Sequence, residues 1–87
     1  MTGPGLTAAG VEELRLSGDV EGLILALGPG EAPEVRRAAA ASLGDLVDAR
    51  AVPPLMEALG EREGEVRLAA VLSLAKIADP MAVPRLL

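Results

Sequence analysis

The sequence predicts an all-α fold, a right-handed superhelix of about two and a half helical hairpins, and three observations carry that prediction. Apolar residues fill 51% of the 87 positions, yet Phe, Tyr and Trp are absent. The apolar share is carried by 16 Ala and 15 Leu, which favour helix, whereas strands draw on aromatic and β-branched side chains. The second observation is an internal repeat. Laid over one another at a shift of 31, residues 35–56 and 66–87 share eleven identities in 22 positions, Arg, Asp, Ser and Pro among them. A fainter copy lies upstream at a shift of 32, pairing Val11 with Leu43, Leu23 with Leu55 and Ala26 with Ala58. The third is punctuation: Gly and Pro fall at regular breaks, and a fixed period in this range is the signature of stacked repeats.

The elements follow in order. Thr7 is placed to cap a helix that reaches Leu16, and Gly18 ends it. Asp19 caps a second helix through Leu27, before the Gly28-Pro29-Gly30 break. Pro33 suits the first turn of the next helix, whose inner face is Val35, Ala39, Ser42, Leu43 and Leu46 at i, i+4, i+7, i+8 and i+11. Asp48 to Arg50 makes a turn. Pro53 and Pro54 are tolerated only near a helix start, so a short helix is expected from about Ala51 to Leu59, with Gly60 as its left-handed stop. The third unit repeats the pattern: a helix from about Glu65 to Ala78, a break at Asp79-Pro80, and a last helix from about Met81. One domain over 1–87 results, with units at about 6–28, 33–60 and 65–87. The first unit has Pro4 and Leu16 where the repeat carries Arg and Asp, and reads as a cap. The last is expected to be truncated.

Composition excludes much chemistry. The chain has no His, Cys, Asn or Gln, which removes a thiol nucleophile, a Ser-His-Asp triad, a zinc site built from His or Cys, and any disulfide. Thirteen acidic against eight basic residues give a net charge of −5, and the isoelectric point is near 4.6. Nucleic-acid binding is disfavoured, because it needs a basic face and, for single strands, aromatic platforms. Anionic membrane surfaces are disfavoured on the same electrostatic ground. The N-terminus lacks the charge and apolar run of a signal peptide, and a cytoplasmic location is expected. No cofactor is implied, and no metal site: Glu61, Glu63 and Glu65 lack the ligand spacing of a calcium loop, and Gly28-Pro29-Gly30 lacks the pattern of a phosphate cradle.

Glu34-Val35-Arg36-Arg37-Ala38-Ala39, then Leu43-Gly44, then Asp48-Ala49-Arg50-Ala51-Val52-Pro53-Pro54-Leu55, resembles a HEAT-like repeat of the phycobilisome-lyase type. Glu65-Val66-Arg67-Leu68-Ala69-Ala70 with Asp79-Pro80-Met81-Ala82-Val83-Pro84-Arg85-Leu86 resembles the next one. The resemblance implies a scaffold that binds another protein or a peptide without catalysis. The alternative it implies is an accessory or regulatory subunit of an enzyme complex such as a bilin lyase. A di-iron hydroxylase also shares the scaffold, but its metal is held by His-Glu pairs and this chain has no His.

In such repeats the second helices line the concave side where partners bind. That places Leu25, Pro54, Met56 and Glu57 on the candidate binding face, a Leu/Met patch rimmed by acids that suits an amphipathic helix or a basic peptide. Arg36 and Arg67 recur one repeat apart, as do Asp48 and Asp79, and are expected to form a structural ladder in which each Arg reaches a turn Asp or a helix-end carbonyl. Leu72, Val83, Leu86 and Leu87 are candidates for the exposed final face, and Val83, Leu86 and Leu87, on a helix too short to cover the third unit, are expected to drive homo-oligomerisation through the C-terminal end.

Overall fold

The computed structural model describes residues 6–78, and every regular element among them is helical. In chain order these are α1 (Ala8–Leu16), α2 (Val20–Ala26), α3 (Pro33–Leu46), a 3-10 turn (Ala49–Ala51), α4 (Val52–Ala58) and α5 (Gly64–Ala78). Asp79, Arg85, the Asp79-Pro80 break, the helix expected from Met81 and the proposed contact residues Val83, Leu86 and Leu87 lie outside the described residues.

Local chemistry accounts for the boundaries. The Thr7 hydroxyl accepts a hydrogen bond from Gly10 N at 3.1 Å, satisfying a free N–H at the start of α1. Gly18, at φ 71°, turns the chain out of α1, and Asp19 caps α2 by accepting from Gly22 N at 2.8 Å. Pro33 opens α3, where its missing N–H costs nothing. The Asp48 carboxylate accepts from Arg50 N at 2.8 Å and starts the 3-10 turn. That turn delays the second helix of the hairpin to Val52, with Pro53 and Pro54 in its first turn.

Two stops differ from expectation. Gly60 is not left-handed: among the described glycines only Gly18 has positive φ. Instead, α4 unwinds through tight turns in which Gly60 N donates to Glu57 O at 3.1 Å and Glu61 N to Ala58 O at 3.2 Å. Those bonds satisfy the last carbonyls without a reversal of the backbone. The left-handed residue falls at Val47 (φ 51°, ψ 53°), which ends α3. A β-branched side chain is strained there.

The hairpins stack side by side. α1 and α2 both pack on α3, and α5 packs on α3 and α4. The core is filled by positions that correspond from one unit to the next: Val11 with Leu43, Leu23 with Leu55, Ala26 with Ala58, Val35 with Val66, and Ala39 with Ala70, all buried. A fully buried Leu contributes about 1.5–3 kcal/mol relative to exposure, so Leu23, Leu43 and Leu55 are the principal anchors. Small residues set how closely the helices approach. α3 and α5 cross where Gly44 meets Ser73, and a Cβ on Gly44 would lie 2.7 Å from both Cα and Cβ of Ser73. At this crossing the buried Ser73 hydroxyl donates to Ala40 O at 2.6 Å.

Candidate functional site

The second helices α2 and α4 run beside each other and leave a groove of about 170 Å³ between them. Ile24 and Leu27 of α2 and Pro54 and Ala58 of α4 form its apolar lining, and Glu57 and Glu61 line its acidic side. Burial of Leu23 and Ala26 on α2, and of Leu55 and Ala58 on α4, turns the intervening positions outward. Of the four residues expected on this face, Pro54 and Glu57 meet at the groove. Leu25 and Met56 do not line it; they are 77% and 55% exposed on the same two helices. Exposure of two large apolar side chains next to an apolar groove is an arrangement a partner can cover. Arg50 reaches across from the 3-10 turn to Glu21 on α2, at 3.5 Å.

The recurring Arg and Asp residues have unlike surroundings. Arg36 is buried, with its side chain only 7% exposed. Its Nε donates to the carbonyl of Leu27, the C-cap of the preceding hairpin's second helix, at 3.1 Å. Its guanidinium also pairs with Glu61 at 2.5 Å and Glu63 at 3.6 Å. Arg67 donates to the Glu61 and Arg62 carbonyls at 2.7 and 2.9 Å, again on the chain that follows the preceding second helix. Each first-helix arginine thus ties its own unit to the end of the one before. Asp48 pairs with its neighbour Arg50, at 2.8 Å. The hydrogen bonds from the Arg50 side chain and backbone hold the Asp48 carboxyl below the ordinary aspartate range, and the same pair raises Arg50. Glu12 is lowered in the same way by a hydrogen bond from Arg15.

The two acids of the α4–α5 loop, Glu61 and Glu63, are taken up by Arg36, whereas Glu65, in the first turn of α5, lies 3.6 Å from Arg37 with its side chain 84% exposed.

A larger groove, of about 450 Å³, lies between the first helices α3 and α5. Ala41, Leu68, Ala69, Leu72 and Ala75 line it, with Arg37 and Glu65 toward one end and Lys76 toward the other. Of its lining the sequence marks Leu72, on the exposed final face, and not the groove as a whole. Its signal was in the mismatches of the repeat: Arg37 is replaced by Leu68 and Ala41 by Leu72, both apolar gains at positions that do not serve the core. Identities such as Val35 with Val66 and Ala39 with Ala70 mark the core, and these differences mark the surface.

None of the described helices is long and apolar enough to cross a membrane. No curated protein matches the chain. The family described as HEAT repeats matches residues 20–87, which takes in α2 to α5 and with them both grooves and the two arginine ties. By that match, and by the stacked helical hairpins it covers, the chain belongs to the HEAT repeat family.

Proposed function

We propose that this chain is a non-catalytic protein-binding module whose partner docks on the face of α2 and α4. HEAT repeats generally mediate protein–protein interaction. The observation that carries the reading is the pairing of an apolar groove with two exposed apolar side chains, Leu25 and Met56, on the helices that form it. Glu57 on the groove, with the overall charge of −5, favours a partner segment that is apolar on one side and basic at its edges. The phycobilisome-lyase type and a cytoplasmic location belong to the same proposal and rest on the repeat motif and the composition.

A photo-crosslinking residue at position 57 tests the face directly in cells of the native source. The expected result is a defined protein attached at that position and lost when Leu25→Glu and Met56→Glu are combined, with helicity by circular dichroism unchanged. The same protein attached equally well to the double variant would reject the α2–α4 face as its docking site.

A further inference from the structure

The outer face of α5 differs from the face that α3 offers to α5. α3 presents Ala40, fully buried, and Gly44, whose missing Cβ admits Ser73. One repeat on, the corresponding positions of α5 are Val71 and Ala75. Both carry side chains where the α3–α5 crossing needs almost none, so a further helix cannot seat on α5 as closely as α5 seats on α3. Next to them Leu68 and Leu72 replace Arg37 and Ala41. Leu68, Val71 and Leu72 are 59%, 51% and 55% exposed. Such a face is suited to a partner at ordinary side-chain spacing.

The order of residues along that face selects the partner. Glu65, Leu68 and Leu72 follow at three- and four-residue spacing, and Lys76 lies four beyond. The stripe therefore has an acid at its N-terminal end, two leucines in the middle and a base at its C-terminal end. Turned end for end, it matches itself: Leu68 meets Leu72 twice, and the Glu65 end of one helix meets the Lys76 end of the other. A parallel copy would instead set like charges together. Within one chain Glu65 is held only at 3.6 Å by Arg37 with its side chain 84% exposed, which leaves it room for a second cation, while Lys76 pairs with Asp45 at 2.8 Å and, with its side chain 41% exposed, can bridge to a second acid. We propose that α5 packs antiparallel on α5 of a second copy about a two-fold axis between Leu68 and Leu72, with the leucines of each copy entering the other's α3–α5 groove. This surface is separate from the α2–α4 face and does not depend on any partner binding there. A contact of one helix and its groove is expected to bury less than the ~1,200 Å² of standard interfaces, so the dimer forms only at high concentration.

Sedimentation equilibrium of the 87-residue chain, from about 10 µM to about 1 mM, spans the affinities expected of so small a contact. The weight-average mass should climb from near 8.8 kDa toward twice that value. Leu68→Glu combined with Leu72→Glu should hold it near the monomer with the melting curve unchanged, since both side chains are more than half exposed. The chain has no cysteine, so orientation can be read separately. Glu65→Cys mixed with Ala75→Cys should form a disulfide-linked heterodimer on oxidation, while neither variant alone should link to itself. A monomer throughout the range overturns the proposal. So does self-linking of Glu65→Cys, or a dimer that survives the two leucine changes, which would move the contact to Val83, Leu86 and Leu87 or elsewhere.

Discussion

Gly44→Ala sets two known effects against each other, and the structure decides the sign. Gly44 lies within α3, where Ala is the better helix former by about 1 kcal/mol. Taken alone, that term makes the variant more stable. The new Cβ, however, would sit 2.7 Å from Ser73 Cα and Cβ, whereas carbon atoms rest at about 3.5–4.0 Å. Ser73 Cα belongs to the main chain of another helix, so no rotamer change relieves the contact, and α5 must move out by roughly 1 Å. A shift of that size stretches the 2.6 Å bond from the Ser73 hydroxyl to Ala40 O beyond useful length, at about 0.5–1.5 kcal/mol. It also loosens Val66 and Ala70, both fully buried, and overpacking of this kind costs about 1–3 kcal/mol. The balance is a net loss of about 1–3 kcal/mol, or roughly 4–8 °C of melting temperature per kcal/mol in a domain this small. Thermal and urea denaturation followed at 222 nm would measure it. In a Ser73→Gly background the same substitution should cost less, so a double-mutant cycle should show coupling between the two sites. A higher melting temperature for Gly44→Ala, or an additive cycle, would refute the close crossing.

Two further outcomes are expected. Arg36→Ala removes a buried guanidinium from the Leu27 carbonyl and from Glu61, and should lower stability by about 2–4 kcal/mol; the exposure of Glu61 and Glu63 keeps this toward the lower part of the range for a broken buried pair. Arg36→Lys should recover only part of it in urea denaturation, and a loss below experimental error would discard the arginine as a tie between units. Val47→Gly relieves a left-handed β-branched residue that is 41% exposed, and should raise stability by about 0.5–1 kcal/mol after the extra freedom of glycine in the unfolded chain is counted. A lower melting temperature for that variant would show that the backbone at Val47 is not left-handed in solution.

The linear code determined the helices and their order. Thr7 and Asp19 act through bonds to residues three positions away, and Gly18 and Pro33 through their own backbone angles, so their effect can be read without the fold. The core was equally legible, because positions that recur every 31 or 32 residues must face the same neighbours in every unit, as Leu23 and Leu55 do. The stops at Val47 and Gly60 were not. Backbone angles there depend on how one helix of a hairpin is brought against the next, and packing can hold a valine where glycine would be easier. The candidate sites divide along the same line. That Leu25 and Met56 face outward follows from helical periodicity, but that Pro54 and Glu57 share a groove with Ile24 and Leu27 depends on the distance between α2 and α4. Arg36 is the plainest case. A recurring arginine announces a structural part, yet its burial among Leu27, Glu61 and Glu63 joins segments 9 to 27 residues away, and only the stacking of one hairpin on the next brings those groups within reach of a single guanidinium.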